Sequence, residues 1–145
     1  MTQTQIAISA AILLNDRDEM LLVRKRGTRA FMQPGGKIDA GETPSEALTR
    51  ELQEEIALHA EADSMKFLGI YSEVAANEPD ANVVAHTFAM RVAGPVTPAA
   101  EIEDARWVEV GIETGLELAP LTKNRMFPLA RKFLDESGAV AGAGG

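Results

Sequence analysis

Two rhythms of apolar residues divide the chain. Residues 6–14 (Ile6-Ala7-Ile8-Ser9-Ala10-Ala11-Ile12-Leu13-Leu14) run almost without a polar side chain, and a second run, Met20-Leu21-Leu22-Val23, follows the polar turn Asn15-Asp16-Arg17-Asp18. Short apolar runs on either side of a polar turn predict two strands joined as a hairpin. The second run leads straight into Arg24-Lys25-Arg26. Beyond it, Phe31-Met32-Gln33-Pro34-Gly35-Gly36 predicts a tight turn at Pro-Gly-Gly, open to close backbone approach because glycine has no Cβ.

From Thr43 the rhythm lengthens. Thr43 suits an N-cap, Pro44 the first helical position, and Glu46 completes a capping box. Leu48, Leu52 and Ile56 then recur at every fourth residue, which predicts a helix with one core-facing stripe, ending near residues 56–58. Residues 65–74 and 83–92 predict two more strands, separated by the loop 75–82. Gly94, Pro95 and Pro98 break the chain, and residues 105–110 around Trp107 predict a last short strand. Residues 120–136 return to helical spacing through Leu121, Met126, Leu129, Ala130, Phe133 and Leu134. The Gly/Ala tail, residues 137–145, has no periodicity and is expected to be unstructured, leaving one domain over residues 1–136. Mixed strands with two helices predict α/β or α+β layers around one core.

Composition narrows the function without naming it. A chain of 145 residues fits one domain large enough to bury its own core. Its formal charge of −8, from 22 acids and 14 bases, repels nucleic-acid backbones, so no long nucleic acid is expected as partner. A small phosphorylated ligand is compatible if metal ions and a few local bases screen its charge. The chain has no cysteine, which excludes disulfides, thiolate metal sites and cysteine nucleophiles. Residues 1–5 lack the basic start of a secretory signal and no apolar run is long enough to span a bilayer, so the expectation is a soluble cytoplasmic protein with no membrane partner.

The chemistry concentrates in residues 36–58. On a helix, Glu51, Glu54 and Glu55 are related as i, i+3 and i+4 and share one face. That face lies beside the stripe of Leu48, Leu52 and Ile56, which predicts a position at the edge of the core, in a cleft. Like charges at this spacing repel by about 0.2–0.5 kcal/mol per pair even on an exposed helix, so something should offset them. Hard divalent cations bind carboxylate oxygens, and Mg²⁺ takes one or two carboxylates together with substrate phosphates and waters. The Gly35-Gly36 turn lets backbone approach the same cluster, and Arg24, Lys25, Arg26 and Lys37 are candidates to hold phosphate oxygens.

A helical cluster of acids is ordinarily a solvated face. The longer pattern overturns that reading: Gly36, five residues, Glu42, seven residues, then Arg50-Glu51-Leu52-Gln53-Glu54-Glu55 resembles the Nudix box. Six such matches, at about one in twenty per position, would arise by chance in this chain about once in a million, too rarely for the solvated face to stand. The resemblance is close over residues 36–58 and loose elsewhere, in the strand before the box, the Trp107 strand and the C-terminal helix. It implies an α/β fold of the Nudix type, an α/β/α sandwich around a central mixed sheet. It also implies Mg²⁺, with Mn²⁺ as the alternative, held by Glu51, Glu54 and Glu55 with the carbonyl of Gly36. Arg50 would pair with an acid and orient it, and Glu42 would brace the loop. Glu101 and Glu103 stand where members often place a further acid as ligand or base, and Glu101 is favoured. Asn124 lies roughly where some nucleotide-sanitising relatives carry a base-reading Asn, and a capping or exposed role is the other reading. Ala57 departs from the family, which usually has Gly there, and implies either a helix that runs on or a slightly strained cap.

Weaker signals remain open. His86, Trp107 and Phe127 read as core residues, while Phe31 and Gln33 line either a substrate mouth or a packed loop. The resemblance implies a pyrophosphohydrolase acting on a nucleoside diphosphate linked to a group X or another organic diphosphate, above all a nucleoside triphosphate, standard or oxidised, cut to monophosphate and pyrophosphate. The alternative is a silent module that senses a nucleotide; such relatives commonly lose an acid that this chain keeps. An isoprenoid-diphosphate isomerase would be expected to use a catalytic cysteine, and this chain has none. A homodimer is compatible with all of these readings.

Overall fold

The apolar run near the start of the chain becomes the middle strand of a six-stranded mixed sheet. The computed structural model describes residues 4–144 apart from Asn77, Pro79, Ile112 and Glu113, with residues 137–144 described by their backbone alone. In chain order the strands are β1 (Thr4–Leu14), β2 (Glu19–Lys25), β3 (Gly35–Lys37), β4 (Lys66–Val74), β5 (Ala81–Arg91) and β6 (Ile102–Glu109). Helix α1 (Pro44–Ile56) follows β3, and α2 (Phe127–Gly144) ends the chain behind a π-helical turn, Thr122–Met126. The sheet order is β4-β5-β1-β2-β6, with β3 also paired to β1.

Both faces of β1 are covered, which is why its sequence is apolar rather than alternating. Ala10, Ile12 and Leu14 enter one core cluster with Met126 of the π-helical turn and Ala130 and Leu134 of α2. Ala11 and Leu13 enter the other with Leu48, Leu52 and Ile56 of α1. The result is the α/β/α sandwich expected. β1 runs parallel to β5 along its whole length, from Thr4 opposite Ala81 to Leu14 opposite Arg91.

The hairpin of β1 and β2 is antiparallel, but its pairing at Leu14 and Met20 is short because β3 takes part of the same edge. Gly35-Gly36, expected as a turn, instead forms that strand. Gly35 adopts φ 141°, and a Cβ there would lie 2.1 Å from the carbonyl oxygen of Ser9, so only glycine can press this close to β1.

α1 begins as its sequence predicts. The Thr43 side chain accepts from the Glu46 N–H, and the Glu46 carboxylate accepts from the Thr43 N–H. It ends at Ala57, in the left-handed region at φ 53°, ψ 35°, with the Ala57 N–H bonded back to Gln53 and the Leu58 N–H to Leu52. The strained cap is therefore the outcome of the two readings, at a cost of about 1 kcal/mol relative to glycine. α2 extends through Gly144, into the tail expected to be unstructured. Alanine is the strongest helix former, and an existing helix removes the nucleation barrier. Among the described residues no helix is long and apolar enough to cross a membrane.

Candidate active site

Besides its apolar stripe, α1 is fixed to the sheet at its start: the Ser9 hydroxyl, fully buried in β1, donates to the Pro44 carbonyl at 2.6 Å. With its first turn fixed, the helix carries its acidic residues alongside β3. At the loop end, Arg50 donates to both oxygens of Glu42, at 2.7 and 2.8 Å, and to the carbonyl of Lys37 at 3.1 Å. A third donor reaches Glu51 at 2.8 Å, and Glu54 lies 3.6 Å away. The Arg50 guanidinium, with a further bond from the Asp39 N–H, holds Glu42 down at about pH 2, while its two carboxylate partners raise the pKa of Arg50 itself.

Along the helix the three box acids meet three environments. Glu54 is exposed, at 55%; Glu51 is mostly buried, at 16%; Glu55 is buried, at 2%. A Cβ on Gly36 would come within 2.5 Å of the Glu51 carboxyl carbon, so the bare glycine forms the seat of that carboxylate. The Gly35 N–H donates to Glu55 at 3.1 Å. Burial raises the pKa of Glu51, against the pull of Arg50. Burial pushes Glu55 further, to about 7, opposed by the Gly35 N–H and reinforced by the charge of Glu51. Among the described residues no three acidic or histidine side chains already converge on one point as a metal cage. Arg50 draws Glu51 toward itself, and Glu55 is turned to the Gly35 amide.

The basic run of β2 divides by strand alternation. Lys25 lies on the α1 side, 3.4 Å from Glu101, and lines the cleft beside Gly35, Gly36 and Lys37. Arg24 points the other way, over the Phe31 ring at 5.8 Å, bonded to the Thr28 carbonyl and 3.7 Å from Glu103. Arg26 is exposed, and its backbone N–H donates to the Glu101 carbonyl at 2.8 Å. Of the two acids, Glu101, in the loop, is therefore brought to the cluster, where its charge also acts on Glu55, and Glu103, expected in that loop but placed in β6, is not. The loop before β6 is tied to the helix end as well, since the Ala99 N–H donates to the Glu55 carbonyl at 2.8 Å.

A cleft of about 180 Å³ opens at Gly35, Gly36, Lys25 and Lys37 and continues into a smaller one toward Leu121, sharing Ile8, Met32, Gln33 and Val83. Asn124 does not line it; its amide donates to Glu73 on the exposed side of the π-helical turn. The residue of that turn which faces inward is Thr122, whose buried hydroxyl donates to Gln33 at 2.7 Å. Sequence reasoning missed Thr122, and no local signal marks it, because the inward direction comes from an i to i+5 turn. Ser9 was also missed, though a lone hydroxyl in an apolar run was its trace. Trp107 and Phe127 pack against the core as expected.

The model of the NUDIX domain matches residues 3–132. An 8-oxo-dGTP diphosphatase of Haemophilus influenzae is 44% identical over 64 residues, 41% of this chain and 47% of that protein. An RNA pyrophosphohydrolase of Marinomonas sp. is 49% identical over 47 residues, 32% of this chain and 29% of that one. Each match thus spans less than half of the relative's length. The crystal structure of a MutT/nudix family protein from Enterococcus faecalis superposes with a TM-score of 0.74 at 14% identity, covering 93% of this chain and 64% of that one, which is a likeness of fold.

Proposed function

Since the chain belongs to the NUDIX domain family, we propose that it is a divalent-metal-dependent hydrolase that cuts a phosphoric anhydride bond in a nucleoside diphosphate linked to a group X. A nucleoside triphosphate, standard or oxidised, released as monophosphate and pyrophosphate, is the favoured substrate. The observation that carries this reading is Glu55: a carboxylate at 2% exposure, beside Glu51, offset by one backbone N–H and, more weakly, by the charge of Lys25. Acids whose burial outweighs the nearby positive charge hold their proton, and a cation would take its place.

The donor set fits a hard ion. Glu51, Glu54 and Glu55 offer only oxygen, as Mg²⁺ or Mn²⁺ prefers, and the side-chain-free Gly36 lets the Glu51 carboxylate lie against the backbone. When bound, the ion supplies charge neutralisation of the diphosphate and acidifies water. The chain's own residues do the rest. Arg50 positions Glu51, and through Glu42 and the Lys37 carbonyl it fixes the loop against the helix. Lys25 and Lys37 line the cleft where phosphate oxygens would lie. A water oxygen bonds to phosphorus as the anhydride P–O bond breaks, the leaving phosphate keeps the electron pair, and an ionised carboxylate, Glu54 or Glu101, accepts the water's proton.

The names of the relatives set the test panel. Pyrophosphate or phosphate release would be measured with Mg²⁺ from standard and oxidised nucleoside triphosphates, nucleotide sugars, dinucleoside polyphosphates and 5′-triphosphorylated RNA, against a Glu54→Gln control. Turnover of one class, lowered about 10²–10³-fold in the variant, is expected from removing one preorganised charge. Silence across the panel, or a variant within a few-fold of wild type, would sink the assignment.

A further inference from the structure

The two ends of the sheet are finished differently. A strand at a sheet end presents a row of backbone N–H and C=O groups to any other strand, and charged side chains are a common guard against pairing. β6, at one end, carries Glu103, Asp104, Arg106 and Glu109 among its 8 residues. β4, at the other, has an uncharged run from Phe67 to Ser72, with Lys66 before it and Glu73 after it. Among the described residues the exposed large apolar side chains are Phe67, Ile70 and Val74, and all belong to β4. Apolar surface gathered on one element marks a contact site, where scattered residues would not. Val74, at the strand's end, also borders the cleft.

A bulge sets the pattern of β4. Phe67 lies opposite Phe88 and Gly69 opposite Thr87, so Leu68 is an extra residue. In a regular strand Lys66 and Glu73 would fall on opposite faces; the bulge puts them on the same one. That face is the one covered by the C-terminal helix: Lys66 stands over the Phe133 ring at 5.6 Å. Glu73 accepts from the Asn124 amide at 3.2 Å, with Arg125 3.9 Å away. Phe67 and Ile70 point to the other face, beside their partners Phe88 and His86.

We propose that β4 is a self-pairing edge, through which two copies of this chain join their sheets antiparallel about a twofold axis at Ile70. Counted outward from that axis and through the bulge, Tyr71 falls opposite Gly69 of the second copy, Ser72 opposite Phe67, and Glu73 opposite Lys66. Each of these pairs shares a face, which is the condition a register must meet. The axis brings each end of the strand against the other end of its copy, so a base at one end and an acid at the other complement themselves twice. An unrelated strand has no reason to carry the matching charges at these two places. The residue passed over, Leu68, is the one whose carbonyl already accepts from the Tyr71 hydroxyl, at 3.0 Å. On the other face Ile70 meets its own copy, flanked on both sides by Phe67, and the exposed apolar surface is covered.

The mass of the particle in solution, by light scattering or sedimentation equilibrium, tests this independently of catalysis. Wild type should be dimeric at about 100 µM and dissociate on dilution, as a small interface does. Ile70→Lys sets two like charges on the axis and should leave a folded monomer at the same concentration. Lys66→Glu and Glu73→Lys each put like charges into both contacts, and each should raise the Kd of self-association at least about tenfold. Mixing these two variants in equal amounts restores an opposite pair at both contacts, so the mixture should recover the dimer. That recovery also shows that both variant chains are folded. A wild type that stays monomeric up to about 1 mM overturns the proposal. So does a dimer indifferent to Ile70→Lys, or a pair of charge variants that remain apart when mixed.

Discussion

Glu42 and Glu55 belong to one box, yet their charges are satisfied in opposite ways. Glu42, in the loop ahead of α1, receives a two-pronged guanidinium from Arg50 and a bond from the Asp39 N–H, and its carboxyl is held down at about 2. Glu55, in the last turn of the helix, is sealed beneath β3 with one amide donor, and burial pushes it up to about 7. The loop end is therefore electrostatically complete within the protein, whereas the helix end is completed only by a proton or by something that binds. On the proposed hydrolase reading, the first end maintains structure and the second prepares function.

The sharpest way to break this contrast is to neutralise each acid in turn. Glu55→Gln should lower turnover at saturating Mg²⁺ by about 10²–10³-fold while raising the melting temperature of the metal-free protein at pH 8, because it removes a buried charge. Glu42→Gln should do the reverse in stability, lowering the melting temperature, with a turnover loss of about tenfold or less. The pair is read from steady-state kinetics and thermal melts of the two variants side by side. Shifts of the same sign in stability would show that the two ends are not different in kind.

A smaller effect is expected from pH alone. Glu55 has a folded pKa raised from 4.5 to about 7, so its contribution is fully present below about pH 4.5 and is lost as pH rises through 7, roughly 3 kcal/mol in all for the metal-free protein. Glu42 runs the other way: its folded pKa is depressed, and its contribution is present above about pH 4.5 and lost as pH falls toward 2. Urea titrations of metal-free wild type and Glu55→Gln from pH 5 to 8 would resolve the first window. A wild type as flat across it as the variant would contradict a carboxylate whose burial outweighs its partners.

The smallest effect concerns the backbone just past Glu55. Ala57 holds a left-handed conformation that glycine adopts freely, and Ala57→Gly should stabilise the fold by up to about 1 kcal/mol, with little change in turnover. A clear loss of stability in denaturant would mean that the alanine methyl contributes packing greater than the strain it carries.

Much of this molecule was legible from its residues in order. The capping box, the stripe of Leu48, Leu52 and Ile56, and the shared face of the three acids all depend on neighbours within one or two turns, so spacing alone reveals them. The apolar runs marked five of the six strands. β3 was taken for a turn because Pro-Gly-Gly is locally ambiguous; its pairing depends on Ser9, far away in the chain, leaving no room for a side chain. The division of Arg24 from Lys25 needed the strand's two faces to be assigned, and the separation of Asn124 from the cleft needed the π-helical turn.

What the sequence determined by itself was the chemistry available: which oxygen ligands, on which helix face, under which cap. What only the tertiary structure decided was how each of those groups is solvated. Glu51, Glu54 and Glu55 are alike as letters, but desolvation depends on β3 lying across the helix, and that contact joins segments distant along the chain. The same holds for Gln33, whose side-chain oxygen is paired across the fold with Thr122, 89 positions away. Spacing specifies local geometry, whereas burial and hydrogen-bond partners are properties of the assembled layers.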